Sequence, residues 1–255
     1  MRSRRTTALV VLAALVLVAA APESQAKSGT QITACGQVVT TDAVLTTDLV
    51  CSGPGVIVGA PGITIDLKGF TLQEEVAHPP SWSGVWTTNR YNDLTVKNGV
   101  LRNFAIGVAA MGDHVRISDV IAAGNTQGIV VSGSSASISS VNAVGNRLWG
   151  IRVHGDAARI ASSTAVANDI GIGIEGDSAS IGRSTVLGNG TFGIAVDGSG
   201  ASLTRNRADG NGFAGGLSDL LGLGIEVTGF TAAPQGMNTA HANDNPEECD
   251  PFYLC

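Results

Sequence analysis

Four ionisable residues fall at matching offsets of a recurring Gly-Ile segment: Arg152, His154, Glu175 and Asp197. In Gly150-Ile151-Arg152-Val153-His154, strand alternation turns Ile151 and Val153 to one face and Arg152 and His154 to the other. Four residues beyond each recurring glycine stand Thr88, Met111, Ser132, His154, Glu175, Asp197 and Thr228. Two beyond it stand Trp86, Ala109, Val130, Arg152, Gly173, Ala195 and Glu226. Stacked at the ~4.8 Å spacing of neighbouring strands, the first set puts an imidazole and two carboxylates in one row. A carboxylate pair ~5 Å apart is the geometry of a retaining glycosidase, and ~6.5–9.5 Å that of an inverting one. Glu175 and Asp197 would repel each other and raise one pKa, unless a cation or Arg152 intervenes. Oxygen ligands in such a row also suit Ca²⁺ held together with sugar carboxylates. Glu175, Asp197 and His154 are therefore the candidate catalytic residues, Glu175 and Asp197 the candidate calcium ligands, and Arg152 the candidate group for an anionic substrate. The plainer account is that outward strand positions are polar in any case, and like charges splay into water.

Two tryptophans, Trp82 and Trp86, adjoin an insertion, Glu74 to Ser83, that also holds His78. Loops on a rigid scaffold often bear binding function, so these rings are candidates for stacking on sugars. A second insertion covers roughly Ala214 to Gly222. Trp149 and Phe192 precede the recurring glycine at what strand parity makes an inward position, and are expected in the core. Gly171-Ile172-Gly173-Ile174-Glu175-Gly176 spells G-x-G-x-x-G, but no helix pattern follows it as dinucleotide binding requires. Asp244, Glu247, Glu248 and Asp250 read as a solvated acidic tail.

The elements that position these residues are set by a repeat. Gly84, Gly107, Gly128, Gly150, Gly171, Gly193 and Gly224 are spaced 23, 21, 22, 21, 22 and 31 residues apart. Asparagines 103, 125, 146, 168, 189 and 211 keep the same beat, as do Ile65, Val96, Ile117, Ile138, Ile160, Ile181 and Leu203. Each unit holds short stretches of period-two alternation separated by Gly, Asn, Ser and Asp, the signature of half-buried strands joined by turns. No unit offers a helix. Coils of about 22 residues, stacked so that equivalent strands pair, make a parallel β-helix lined by columns of Ile, Val, Leu and Ala.

The pattern Ile-x-x-x-x-Ala-x-Gly-Asn-x₂₋₃-Gly-Ile-x-Val-x-Gly, over roughly residues 56–230, resembles the right-handed parallel β-helix repeat of the pectate-lyase-like superfamily. The flanks, with Cys35-Gly36, Leu49-Val50-Cys51 and Cys249 to Cys255, are similar to those of bacterial secreted members. The resemblance implies an all-β, single-stranded right-handed solenoid of about seven to nine coils. It also implies that the strand leading out of the Gly-Ile segment borders a substrate cleft. The superfamily holds lyases, hydrolases, epimerases, adhesins and accessory proteins, so the fold alone does not choose among them. No Asn-Thr-Asp, Asp-Asp pair or Asp-Pro-His occurs, which departs from known polygalacturonase and epimerase sites. The reading is a secreted protein that binds or modifies polysaccharide through one sheet face. If it is an enzyme, it is lyase- or glycoside-hydrolase-like. The alternative is a non-catalytic surface or envelope protein of structural or adhesin type.

Composition agrees. Glycine accounts for 34 of 255 residues against a usual ~7%, and charged residues for only 14% against ~25%. Arg2, Arg4 and Arg5 followed by the uncharged run Ala8 to Ala21 read as a secretory signal, cleaved after Ala26. The chain beyond it carries a net charge of −8, which excludes nucleic acid as a partner. No later run is long enough to span a bilayer, and a monomer is expected. Four cysteines in an exported chain allow three pairings, and their clustering favours Cys35–Cys51 and Cys249–Cys255. The expected organisation is a signal at 1–26, a disulfide cap at 27–55, the β-helix at 56–230 and a disulfide-closed tail at 231–255. Location is secreted or cell envelope.

Overall fold

The computed structural model describes residues 29–75, 80–212, 224–228, 238–241, 243 and 249–250. The signal segment, His78, the Ala214–Gly222 insertion and the Cys249–Cys255 pairing lie outside the described residues. Among those described there is no helix, and every strand pairing is parallel. The strands stack into a β-solenoid of about eight turns. One side is a ten-stranded sheet built from the Gly-Ile segments, and a sixteen-stranded sheet supplies the remaining sides. In the eight-residue strand Arg116–Ala123, Asp119 takes left-handed backbone (φ 56) and bends the sheet across a corner. Its first half pairs with Ser137–Ser139 and its second with Asn142–Val144.

The repeat columns explain why the coils close. Ile129, Ile151, Ile172 and Ile194 pair rung by rung and are fully buried. A second column runs Ile117, Ile138, Ile160, Ile181 and Leu203. The recurring glycine is dictated by the coil above it. A Cβ on Gly150 would lie 2.6 Å from the Gly171 carbonyl oxygen and 2.9 Å from Asn168 Nδ2.

Behind that glycine runs a buried asparagine ladder. Asn146 donates through its backbone N and its Nδ2 to Asn168 Oδ1, both at 2.9 Å, and its Nδ2 also reaches the Ala122 carbonyl at 3.0 Å. Asn125, Asn168, Asn189 and Asn211 repeat this arrangement, and Asn243 accepts from the last rung. Each amide thereby meets buried backbone groups that would otherwise be orphaned. Asn103 is not a rung, although its spacing suggests one. It sits one residue early, in left-handed backbone (φ 62), and buried Phe104 takes the place, donating its N–H to Asn125 Oδ1.

The segment expected as a separate cap, 27–55, already contributes coil strands. Gln37–Val39, Ala43–Leu45 and Leu49–Cys51 each pair with the coil that follows. The disulfide Cys35–Cys51 closes this first coil. At the other end Thr239–His241 and Cys249–Asp250 extend the two sheets.

Candidate functional site

The Gly-Ile sheet orders the candidate residues by register. His154 pairs with Glu175, Glu175 with Asp197, and Asp197 with Thr228, so the outward row expected from the sequence is present. Alongside it run Arg152, Gly173, Ala195 and Glu226.

Within this double row, Glu175 is the hub. Arg152 Nη2 donates to its Oε1 at 2.9 Å, and His154 Nδ1 lies 2.9 Å from its Oε2. Arg152 thus pairs with Glu175 from the coil on the side away from Asp197, and Glu175 titrates below an ordinary glutamate. The hydrogen bond from Arg152 is the leading cause, partial burial opposes it, and the charges of His154 and Arg152 add to it. Glu175 is an ionised acceptor at neutral pH. Asp197 Oδ1 accepts from the Thr228 hydroxyl at 3.2 Å.

Trp149 completes the cluster, and it is not in the core. The strand Trp149–His154 buries both Gly150 and Ile151, so alternation breaks at the glycine and Trp149 emerges on the outer face. Phe192 does the same in Phe192–Asp197. Gln127, in the same column, is the sequence signal for this, because a polar side chain there marks an outward position. The Trp149 ring leans across to the next coil, into the space left by Gly173, where a Cβ would stand 2.0 Å from Trp149 Cζ3. The Arg152 guanidinium carbon lies 4.7 Å from the ring centroid, within cation–π range. Arg152 Nε is buried without an acceptor, so ring stacking and the single bond to Glu175 hold this side chain.

These residues frame an open groove of about 210 Å³. Trp149 forms one wall, Gly173 and Ala195 the floor, and Glu175, Asp197, Glu226 and Thr228 the rim. Among the described residues no lysine or arginine lines it. Trp82 and Trp86 are exposed, at 45% and 37%, but stand apart from it. Trp86 shares the Arg152 column three coils earlier, about 14 Å away at strand spacing. The backbone N–H of Trp82 donates at the corner before that strand to the buried carboxylate of Glu74.

Comparisons with known proteins place this fold. The family described as NosD, periplasmic copper-binding protein, matches residues 62–229. Among solved structures, the Dettilon tailspike protein aligns with a TM-score of 0.52 at 10% identity, over 80% of this chain and 54% of that one. This chain therefore spans about half the length of the tailspike. The A-module of the Azotobacter vinelandii mannuronan C-5 epimerase AlgE6 aligns at 0.48 with 12% identity, over 83% and 81%. A point mutant of the periplasmic alginate epimerase AlgG aligns at 0.49 with 15% identity, over 88% and 62%. No curated protein sequence matches the chain. At such identities the likeness is one of fold, the right-handed parallel β-helix.

Proposed function

The chain belongs to the NosD family of right-handed β-helix proteins, and from that premise we propose that it is an extracytoplasmic glycan-binding protein whose site is the groove on the Gly-Ile sheet. The observation that carries this reading is the Trp149 ring, held over Gly173 beside a row of carboxylates. An aromatic wall packs against the C–H face of a sugar, while the carboxylates of Asp197 and Glu226, with several lone pairs each, serve as acceptors for its hydroxyls. With carboxylates and no cation among the described residues of its rim, the groove suits neutral sugars better than acidic ones. Holding substrate is better supported than acid–base catalysis, because both oxygens of Glu175 are engaged and its lowered pKa removes it as a proton donor. A calcium ion on Glu175 and Asp197 would have to compete with Arg152 and His154 for the Glu175 oxygens. The Cys35–Cys51 bond and the periplasmic description of the family support location outside the cytoplasm.

Copper, which the family description names, is not matched by the donors among the described residues. Among the described residues no three of His, Cys, Asp and Glu gather as a metal site. Cys35 and Cys51 are tied in a disulfide, and Met111 lies two coils from His154 in the same row. Copper sites draw on clustered imidazole, thiolate or thioether, so no role for the metal follows from this donor set.

Calorimetric titration of neutral and uronate oligosaccharides, with calcium or with chelator, tests the reading. A neutral glycan should bind irrespective of calcium, and Trp149→Ala should weaken it about ten-fold, the loss of ~1.4 kcal/mol of ring contact. Equal binding by Trp149→Ala and wild type would remove the groove as the site.

A further inference from the structure

The side of the solenoid formed by the Ser-Ile-Ser strands carries a concentration of positive charge that nothing in the first groove requires. Strands Arg159–Ala161, Ser180–Gly182 and Ser202–Thr204 stack in register, with Ile160, Ile181 and Leu203 turned into the core. Their outward residues frame an open cleft of about 530 Å³. Arg159 stands at the leading end, Ala161, Ser180, Gly182 and Thr204 make a low floor, and Arg183 and Arg205 stand at the trailing end. Arg183 and Arg205 occupy the same turn on successive coils, since Arg183 N–H donates to the Thr204 carbonyl just as Ser162 N–H donates to Gly182.

Three observations single out this cleft. All three arginines are exposed, and none is paired with a carboxylate among the described residues, although Arg152 and Arg207 are. Among the described residues no acidic side chain lines the cleft, in a chain whose net charge is −6. Arg183 and Arg205 also hold left-handed backbone, at φ 54 and 56, a conformation that long side chains adopt at a cost and in which the preceding coils place Ser140 and Ser162. Two strained arginines in register, unpaired and flanking a bare floor, are a local conflict of the kind that concentrates at functional positions.

We infer that this cleft is a second binding site, for the carboxylate groups of an acidic polysaccharide. Guanidinium forks suit carboxylates, and arginines repeated at coil spacing suit a ligand whose charges repeat along a chain rather than a lone anion. A polyanion would be repelled by the acidic remainder of the surface, so charge complementarity selects this side. The cleft is on a different sheet from the Trp149 groove, and the inference does not depend on that site.

The test uses the intact exported chain with polygalacturonate as probe, its fully methyl-esterified form as the uncharged control, and duplex DNA as a second polyanion. The comparison protein carries Arg159→Ser, Arg183→Asn and Arg205→Asn, because asparagine tolerates left-handed backbone. Wild type should bind polygalacturonate with an affinity that falls as salt rises, and should bind neither the ester nor DNA comparably. The triple variant should lose at least ten-fold in affinity with a melting temperature no lower than wild type, while Trp149→Ala binds polygalacturonate as wild type does. Equal binding by the triple variant and wild type, equal binding of the ester, or DNA bound as tightly as polygalacturonate would each overturn the inference.

Discussion

Gly173→Ala isolates the groove from the fold. The added Cβ would stand 2.0, 2.8 and 3.0 Å from Cζ3, Cε3 and Cη2 of Trp149, so the ring must swing away. No backbone strain accompanies the change, because Gly173 lies in the extended strand Ile170–Glu175 outside the left-handed region. Displacing the ring forfeits its contact with the Arg152 guanidinium, about 1 kcal/mol for this half-buried pair. Replacing glycine by alanine in an extended strand returns about 0.5–1 kcal/mol of backbone entropy. The two nearly cancel, and the melting temperature should move by no more than about 4 °C in a chain of this size. Glycan affinity should nevertheless fall, because the ring no longer walls the groove. Thermal melts by circular dichroism, Trp149 fluorescence in a Trp82→Phe, Trp86→Phe background, and calorimetric titration with a neutral glycan measure the three quantities. Changed Trp149 emission with undiminished glycan affinity would refute the groove as the binding site. Unchanged emission would refute the placement of the ring itself.

Two further outcomes follow from the buried ladder and from Glu175. Asn168→Ala removes the acceptor of Asn146 N and Nδ2 and the donor to Ala143 and Asn189, all buried, and should cost about 2–4 kcal/mol in chemical denaturation. The exposed Asn142→Ala should cost no more than ~0.5 kcal/mol, and equal losses at the two sites would refute the ladder. Glu175 has a folded pKa below its unfolded value, so its contribution is complete above the unfolded pKa and is lost as pH falls through the folded one. The melting-temperature gap between wild type and Glu175→Gln should accordingly be level near neutrality and narrow only below about pH 4.5. A gap that does not change with pH would mean that the bond from Arg152 does not hold the carboxylate.

The inward half of this molecule was legible in the sequence because stacking leaves little choice there. Ile151 must fit between Ile129 and Ile172, and Gly150 must clear the Gly171 carbonyl, so the same residue types recur and the period shows. The row His154, Glu175 and Asp197 was legible for the same reason, since alternation within a known register fixes which side chains face out. Trp149 was not, because regular alternation through Gly150 predicts an inward ring, whereas two consecutive buried residues reverse the parity. Asn103 misled in the opposite sense. The spacing of 22 residues to Asn125 fits the beat, but a coil may be 21 or 22 residues long, and the actual rung is Phe104. The arginine cleft was not legible because Arg183 and Arg205, each twelve residues beyond a recurring glycine, lie outside the Gly-Ile segment, and Arg159, nine beyond its own, shares no offset with them. Only the pairing of the Ser-Ile-Ser strands brings them to one place.

That asymmetry bears on where function can reside in such a solenoid. An inward substitution must satisfy the coils on both sides of it, whereas an outward residue answers mainly to solvent and to whatever binds there. Exceptions on the outer surface therefore carry more information than regularities. At Gly173 a strand side chain is given up, and an aromatic ring from the previous coil fills the gap. At Arg183 and Arg205 the chain keeps long cationic side chains in left-handed backbone where serine serves two other coils. Stacking of the coils by itself requires neither choice, since Ala195 occupies the Gly173 column on the next coil and Ser162 the Arg183 position on the previous one; it is the outward Trp149 ring that calls for Gly173. Each departs from its column at a cleft, one rimmed by carboxylates and the other by guanidinium groups. On the two proposals taken together, the β-helix has clefts of opposite charge on different sides and would hold two chemically distinct ligands at once. Occupation of one should therefore leave affinity at the other unchanged, because no described element is poised to move between them.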